Sequence, residues 1–244
     1  MKHATYSIIV PAFNEEALLG ATLERLNQII AATPEHGEVI VTDNNSTDRT
    51  ADIAREHGAT VVFEPFQQIA TSRNAGAKRS TADYLFFVDA DTLVTEELIR
   101  ESLDALKTGA VSGGGALARF AKGSSNEKAV ARMAAVWAFL AKRFKWACGA
   151  FVFCRRDAFV ALGGFNEKLY ASEEIYYSRS VRQWGKPKNM AFIILNHCIE
   201  TSPRKVEWFG LWGVFKMVLP LLICPWLVRS RRFCNIWYVR PPKG

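Results

Sequence analysis

The sequence predicts an α/β protein with a doubly wound, mostly parallel central sheet flanked by helices. Short apolar runs alternate with amphipathic helical segments, and their spacing leaves room for one crossover helix between successive strands. The 244 residues, 49% of them apolar, suffice for one sizeable α/β domain with a short appendage. Low-complexity tracts and internal repeats are absent, which argues against solenoids and disordered scaffolds.

The first half of the chain alternates regularly. Strands are predicted over residues 7–11, 38–42, 60–63 and 84–88, because each is a short apolar run ended by polar or turn-forming residues. Helices are predicted between and after them, the first capped by Asn14, the second starting at 46–48, and others over 70–80 and 95–107.

The second half is less regular. Strands are predicted over 111–117, 150–154 and 190–195, and helices near 126–145 and over 172–184. Residues 112–145 form a region whose role the pattern leaves open. They contain three consecutive glycines and a helix with one apolar face, formed by Val130, Met133, Trp137, Leu140 and Phe144. This pattern fits a flexible loop backed by a core helix, a surface that meets lipid, or plain core packing.

The net positive charge of the chain lies in its C-terminal residues. Eight of the 31 basic residues follow residue 202, but only one of the 24 acidic residues does, so residues 1–202 are neutral. We therefore expect a catalytic domain over 1–202 and a hydrophobic, basic C-terminal extension over 203–244. This division argues against nucleic acid as a partner and for an anionic membrane surface met by the tail.

Cysteine usage and the N-terminus indicate a reducing location. The five cysteines form an odd set without a CxxC pair, which suggests neither a disulfide framework nor a zinc site. The first residues lead directly into a strand-like run without a secretory apolar region. We expect a cytoplasmic protein at the cytoplasmic face of a membrane.

Asp89 and Asp91 stand directly after the apolar run 84–88, at the edge where open α/β sheets bind ligands. As residues i and i+2 of an extended segment they point to one side, and the two carboxylates repel unless a cation or a shared proton relieves them. A divalent ion, Mn²⁺ or Mg²⁺, completed by substrate phosphates would do so. The competing interpretation is a solvated turn.

Other polar residues have similar double interpretations. Asp43 ends the second strand and is placed to accept from a nucleobase or to stabilise a turn. Arg73 precedes the Asp89 strand, and it fits either a diphosphate clamp or a solvated helix face. Glu173 and Glu174 open a helix, as a general base and its neighbour or as acids favoured by the helix dipole. His197, after the last strand, is an ordinary histidine or a metal ligand.

The order and spacing of these motifs resemble the family 2 glycosyltransferases with the GT-A fold. The resemblance rests on SIIVPAFNEE (7–16), VTDNNSTDRT (41–50), RNAG (73–76), FVDADT (87–92), GGFNE (163–167) and EE (173–174). It covers residues 5 to about 200. It implies inverting transfer of a sugar from a nucleotide-sugar.

The resemblance also implies roles for single residues. Pro11, Phe13 and Glu15 would line the nucleoside pocket, and Asp43 would contact the base. Arg73 would lie near the donor diphosphate, Asp89 and Asp91 would hold ribose and metal, and His197 would complete the metal site. Glu174 would be the catalytic base, paired with Glu173. The sequence departs from the family at Asn44, Glu174 and Ser180, where an acid, an aspartate and an arginine are frequent.

The predicted function is transfer from a nucleotide-diphosphate-sugar, with UDP favoured, to a hydroxyl of a saccharide or lipid-linked acceptor. A catalytically degenerate nucleotide- or glycan-binding module at the membrane is the alternative, and a donor-hydrolysis assay separates the two. A sugar nucleotidyltransferase is disfavoured because residues 11–16 are acidic and lack glycine. No GxGxxG follows an early strand, which disfavours a nicotinamide dehydrogenase.

The tail admits three placements. Residues 208–228 carry one charge, Lys216, and four of the seven tryptophans lie beyond residue 207. A kinked interfacial anchor agrees with the tryptophans and the arginines that follow. A full span has sufficient length but must accommodate Pro220, Pro225 and Lys216. A buried packing element is the third.

Overall fold

One eight-stranded sheet organises the chain in the computed structural model, which describes residues 4–120, 127–202 and 204–238. The strands are β1 (Tyr6–Ala12), β2 (Gly37–Asp43), β3 (Thr60–Phe63), β4 (Tyr84–Val88), β5 (Thr92–Leu93), β6 (Val111–Phe120), β7 (Phe151–Arg155) and β8 (Ala191–Thr201). The helices are α1 (Leu19–Ala32), α2 (Thr50–Glu56), α3 (Ile69–Arg79), α4 (Glu96–Lys107), α5 (Glu127–Phe144), α6 (Arg156–Leu162), α7 (Glu173–Gly185) and α8 (Arg204–Ile223).

The first half of the sheet is parallel, because a helix carries the chain back after each strand. β1 pairs with β2 and β4, and β2 pairs with β3. The register sets Ala12 opposite Asp43, so β1 and β2 end level. The carboxyl ends of β1, β2 and β4 therefore meet at one edge of the sheet.

The second half of the sheet is mixed. β7 runs antiparallel between β4 and β6, while β8 pairs in parallel with β6 and antiparallel with the short β5. The strand order is β3-β2-β1-β4-β7-β6-β8-β5. Four of these seven pairings are parallel, which confirms the predicted fold class.

The three consecutive glycines of residues 112–145 lie inside β6. A Cβ atom on Gly113 would stand 2.6 Å from the Phe153 carbonyl oxygen, and one on Gly115 would stand 2.5 Å from the Ala147 Cβ. A Cβ on Gly114 would overlap the Ile193 carbonyl oxygen. Close strand packing therefore requires these glycines, and the flexible-loop interpretation is wrong for them. Of the predicted apolar face of α5, the Val130, Met133 and Trp137 side chains lie outside the described part of the chain.

The C-terminal segment is a broken helix that packs back on the domain. Gly210 has a φ of 66°, which interrupts α8, whereas Pro220 lies within it. Further along, Leu221, Val228 and Cys234 form a small core with Leu169 and Ala171. None of the helices in the described ranges has both the length and the apolar character needed to cross a membrane.

Several local predictions need correction. α2 starts at Thr50 rather than at 46–48, and β6 continues to Phe120 rather than ending at 117. Asn14 does not cap α1, which starts five residues later; its φ is 51° and its Oδ1 accepts from the Thr47 backbone N–H at 2.8 Å. β8 continues to Thr201 rather than ending at 195. α6 and β5 were not predicted, because each is too short to show a period.

Candidate active site

The acidic motifs lie at the sheet edge where β1, β2 and β4 end. Asp89 directly follows β4, and its backbone N–H donates to the Ala150 carbonyl at 3.3 Å. Its own carbonyl accepts from the Thr92 N–H at 3.1 Å, which turns the chain into β5. Asp91 lies in this turn. The side chains of Asp89 and Asp91 are 37% and 20% exposed, so both are reachable from solvent.

Arg73 is buried on α3 and connects the two acidic motifs. Its Nη1 donates to Glu173 Oε1 at 2.7 Å, and its Nη2 donates to Asp89 Oδ1 at 3.0 Å and to the Gly149 carbonyl at 2.7 Å. The guanidinium lies over the Phe165 ring, 5.3 Å from the ring centroid. Arg73 is 2% exposed. The solvated-helix interpretation of this residue is therefore wrong.

The charge of Arg73 is secured by its neighbours. Burial by itself lowers the pKa of the guanidinium, but Asp89, Glu173 and Glu174 together raise that pKa above its ordinary value. Both Nη atoms already donate to protein oxygens. The arrangement suits a residue that positions carboxylates better than one that clamps a diphosphate.

Glu173 and Glu174 begin α7 but have different environments. Glu173 is 3% exposed and forms the ion pair with Arg73. Glu174 is partly exposed. Burial and then the charge of Glu173 raise the pKa of Glu174 to about 8. A carboxyl group whose pKa lies near the working pH is a candidate for proton transfer.

Gly149 leaves space between Arg73 and Glu174. A Cβ atom there would stand 3.4 Å from Arg73 Nη2 and 3.4 Å from Glu174 Cδ. Glu174 is thus adjacent to the guanidinium that holds Asp89. The structure thus brings Asp89, at the end of β4, and the pair Glu173 and Glu174 into one cluster.

Arg204 is a site residue that the sequence did not single out. It is the first residue of α8, and its guanidinium donates to both carboxylate oxygens of Glu15 at 2.9 and 3.1 Å. It also donates to Asp91 Oδ2 at 2.7 Å. In the sequence it is one of eight tail cations, and only the position of α8 after β8 distinguishes it.

The predicted nucleoside side is assembled from the ends of β1 and β2 and the residues that follow them. Glu15 is 7% exposed, and its backbone N–H donates to Thr50 Oγ1 at 2.8 Å. Pro11, within β1, and Phe13 precede Glu15 in the sequence, and both are partly buried. Asp43 Oδ1 accepts from the Ser46 N–H at 3.0 Å, so the turn interpretation holds for at least one of its oxygens.

Asn44 and Asp48 serve local structure. Asn44 Nδ2 donates to the carbonyls of Glu64 and Phe66, and its Oδ1 accepts from the Gln68 N–H. Asp48 Oδ1 accepts from the Thr50 N–H at 2.9 Å, at the start of α2. The departure from the family at Asn44 therefore ties the loop after β3 to the end of β2.

His197 is engaged elsewhere. Its Nε2 lies 2.8 Å from Glu101 Oε2, on α4, and the imidazole is 43% exposed. Within the described ranges, no cluster of three or more His, Cys, Asp or Glu side chains is arranged to hold a metal. The structure thus shows a different partner for His197, and its role as a metal ligand stays a prediction.

Asp89 and Asp91 fit a divalent ion in their chemistry. They supply hard oxygen ligands at a strand end, and Asp91 already accepts a cationic group, the Arg204 guanidinium. Mg²⁺ sites often have only one or two protein carboxylates, with substrate phosphates as the remaining ligands. Two acids without a third protein ligand are sufficient for such a site.

Comparison with known proteins settles the family. The sequence profile of the family "Glycosyl transferase family 2" matches residues 7–163, which is more than half of the chain. The chain belongs to this family. The match confirms the resemblance inferred from the motifs, and it contains Asp43, Arg73, Asp89 and Asp91. It ends before Glu173 and Glu174.

The chain is similar in sequence to a curated relative and in fold to two solved structures. YkcC of Bacillus subtilis, an uncharacterized glycosyltransferase, is 32% identical over 117 residues, which are 44% of this chain and 35% of YkcC. The chain thus spans about a third of that relative.

The solved structures share the fold. Residues 1–349 of S. aureus TarS in complex with UDP-GlcNAc give a TM-score of 0.64 at 17% identity, covering 82% of this chain and 59% of that chain. The mannosyltransferase PcManGT of Pyrobaculum calidifontis, in complex with GDP-Man and Mn²⁺, has a TM-score of 0.61 at 18% identity. That match covers 97% of this chain and 70% of PcManGT. These likenesses establish a GT-A-like architecture.

Proposed function

We propose that this chain is an inverting glycosyltransferase that moves a sugar from a nucleotide-diphosphate-sugar to an acceptor hydroxyl. The observation that carries the proposal is the bridge made by Arg73 between Asp89 and Glu173. It holds the carboxylate predicted for the donor next to the acid pair predicted for the acceptor. A donor diphosphate at Asp89 and Asp91 would thereby place its sugar close to Glu174.

Glu174 is the base in this proposal. The acceptor oxygen forms a bond to the anomeric carbon while the bond from that carbon to the diphosphate oxygen breaks, and Glu174 receives the hydroxyl proton. A base with a pKa near the working pH is well matched to this transfer. A single displacement inverts the anomeric centre.

Asp89 and Asp91 would hold the divalent ion, Mn²⁺ or Mg²⁺. When bound, the ion neutralises the charge that builds on the leaving nucleoside diphosphate. Arg73 supports this step indirectly, because it keeps Asp89 at the end of β4. Pro11, Phe13, Glu15 and Asp43 would receive the nucleoside, while His197 is retained only as a ligand to test.

The donor class is supported by the solved relatives. TarS was crystallised with UDP-GlcNAc and PcManGT with GDP-Man and Mn²⁺. Both ligands are nucleoside-diphosphate sugars, and the second structure contains a divalent ion. We propose UDP-linked sugars as the first donors to test, and a saccharide or lipid-linked hydroxyl as the acceptor.

The experiment measures binding and turnover separately. UDP- and GDP-sugars are titrated by calorimetry with and without Mn²⁺, and nucleotide release is then followed with the donor that binds. Asp91→Asn should abolish Mn²⁺-dependent binding and turnover, because it removes a hard anionic ligand. Glu38→Gln, on β2, is the control. If Asp91→Asn turns over the donor as fast as wild type at limiting Mn²⁺, the metal assignment is contradicted. If the wild-type protein binds the donor but neither hydrolyses nor transfers it, the catalytically degenerate binding module is favoured.

The tail supports a further part of the proposal, contact with an anionic membrane surface at the cytoplasmic face. Trp212 and Trp226 are 73% and 68% exposed, and Ile223 is 67% exposed. Arg229 and Arg232 are also exposed. Exposed tryptophans beside arginines favour the interface of anionic lipid. Such a contact would bring a lipid-linked acceptor to the site.

Vesicle flotation tests the membrane contact with full-length protein. The paired change Arg229→Gln and Arg232→Gln should reduce flotation with anionic vesicles at low salt, and Trp212→Ser with Trp226→Ser should reduce it at any salt. Arg55→Gln with Arg100→Gln, two exposed arginines of α2 and α4, is the matched control. Failure of the wild-type protein to float at low salt would sink the lipid-acceptor idea.

A further inference from the structure

The ion pair between Arg204 and the donor-site acids is the feature that the proposed function does not use. The guanidinium of Arg204 contacts three carboxylate oxygens, two of Glu15 and one of Asp91. The side chains of Arg204, Glu15 and Asp91 are 19%, 9% and 20% exposed. The pair is therefore mostly shielded from water, unlike an ordinary surface ion pair.

The position of Arg204 conflicts with a divalent ion at Asp91. Arg204 Nη2 lies 2.7 Å from Asp91 Oδ2, so the guanidinium occupies one of the positions at which this carboxylate could hold an ion. A guanidinium and a divalent cation on the same carboxylate oxygen also repel each other. An ion that binds Asp91 therefore competes with Arg204 for this carboxylate, and its binding is favoured when Arg204 withdraws.

The local backbone permits such a withdrawal. Arg204 begins α8, and Gly210, six residues later, is the helix's break, with φ 66°. The packing of the segment on Leu169 and Ala171 depends on Leu221, Val228 and Cys234, all beyond that break. The break at Gly210 thus separates the turn that carries Arg204 from the residues that dock the segment, and the withdrawal we propose is a shift about this break.

We propose that Arg204 is a positioning residue of the donor site that competes with the divalent ion for Asp91 and moves to the donor diphosphate when the ion binds. This inference rests on the proposed function. A planar guanidinium that holds one carboxylate through two bonds is equally matched to a phosphate. The arriving metal–diphosphate thus supplies Arg204 with a new anionic partner as it displaces the guanidinium from Asp91.

The first test measures Mn²⁺ alone, without nucleotide, by electron paramagnetic resonance. Arg204→Gln should bind Mn²⁺ about fivefold more tightly than wild type, the scale expected from removing a partly shielded competing charge. Arg100→Gln, an exposed arginine paired with Glu96 on α4, is the matched control. Equal or weaker Mn²⁺ binding by Arg204→Gln would overturn the inference.

The second test measures UDP at saturating Mn²⁺. Arg204→Gln should weaken UDP binding about fivefold and leave uridine binding unchanged, because the guanidinium contacts only the diphosphate. Arg204→Lys, which keeps the charge but not the planar fork, should bind Mn²⁺ as wild type does and bind UDP more weakly. Unchanged UDP affinity in both variants would exclude transfer to the diphosphate.

Hydrogen exchange of wild-type protein makes the inference testable even if the variants fold poorly. Mn²⁺ with UDP should change exchange over residues 204–209 and leave residues 221–234 unchanged. If exchange over residues 204–209 is the same with and without Mn²⁺ and UDP, the proposed movement of Arg204 is wrong. If R204Q binds Mn²⁺ more tightly but no nucleotide-sugar binds, the proposed function fails while the competition stands. If nucleotide-sugars bind but R204Q and wild type have equal Mn²⁺ affinity, the competition fails while the proposed function stands. If neither protein binds Mn²⁺, both the competition and the metal site fail.

Discussion

Arg73 and Arg204 have the same charge but different surroundings, and the difference decides their roles. Arg73 is enclosed by Asp89, Glu173 and the Gly149 carbonyl, so it holds a fixed geometry. Arg204 reaches the site from the start of a helix near a glycine break. Motif order could predict Arg73, because it lies in a short recognisable pattern. Arg204 could not be predicted, because its contacts join residues 189 and 113 positions apart.

Substitution of Glu174 tests the base directly. Glu174→Gln should lower kcat roughly a hundredfold or more and leave donor affinity nearly unchanged, since only the proton acceptor is lost. Glu173→Gln should act differently. It deprives the buried Arg73 of a charged partner, which should cost about 3 kcal/mol of unfolding free energy. Steady-state kinetics and chemical denaturation measure both, and equal mild kinetic effects would reduce the pair to helix-end acids.

The pH profile of the wild-type enzyme offers an independent check on the same residue. Glu174 accepts a proton only in its carboxylate form, and its pKa is about 8 in the donor-free protein. The value of kcat/KM should therefore rise with pH and level off above about pH 8. Glu174→Gln should lose this inflection. A wild-type profile that is flat between pH 6 and 9 would argue for another base.

Among the secondary-structure elements, apolar runs proved more informative than turn residues. β3 and β4 have the predicted bounds, and α3, α4 and α7 agree within one residue at each end, because their periods and flanking polar residues are strong. Asn14 was misinterpreted as a helix cap, and of the three interpretations given for the glycine run the flexible loop is wrong. Both look like loop or cap signals locally, whereas contacts with distant strands and loops determine their conformations.

Gly114→Ala tests whether β6 depends on close packing. Its Cβ would overlap the Ile193 carbonyl oxygen and the Phe153 ring, so β8 or β7 must shift. We expect a loss of about 2 kcal/mol in unfolding free energy, typical of overpacking a core. Gly20→Ala, in α1, is the control, because its Cβ would meet only His57 and Ile53 at 3.6 Å or more. That change should be neutral or stabilising by up to about 1 kcal/mol, and similar midpoints for both variants in urea would contradict the packing argument.

For the whole molecule, the division of charge seen in the sequence has a structural counterpart. The neutral domain gathers acidic residues around one sheet edge, among them Glu15, Asp89, Asp91, Glu173 and Glu174. One tail cation, Arg204, pairs within that cluster, while Arg229 and Arg232 remain at the surface. Composition could predict the asymmetry but not its partial neutralisation, because pairing depends on where the tail returns to the fold.

The raised pKa of Glu174 should also appear in the stability of the entire fold. Its ordinary value is 4.5 and its value in the folded protein is about 8, so between these pH values the folded state keeps a proton that the unfolded state has lost. This contribution is complete below pH 4.5 and disappears as pH rises through 8. The urea midpoint of wild type relative to Glu174→Gln should therefore fall between pH 5 and 8.5. A constant difference across that range would contradict the shift.

The contact of Arg204 with Asp91 also has a consequence for synthesis of the chain. Asp91 and Glu15 leave the ribosome well before Arg204, which lies 113 residues after Asp91. At about 5–20 residues per second, this interval lasts roughly 6 to 23 s. During that time the nascent sheet edge exposes its acids without their arginine. Asp91 and Glu15 are therefore synthesised, and available to other cations, before the guanidinium that pairs with them in the folded protein is made.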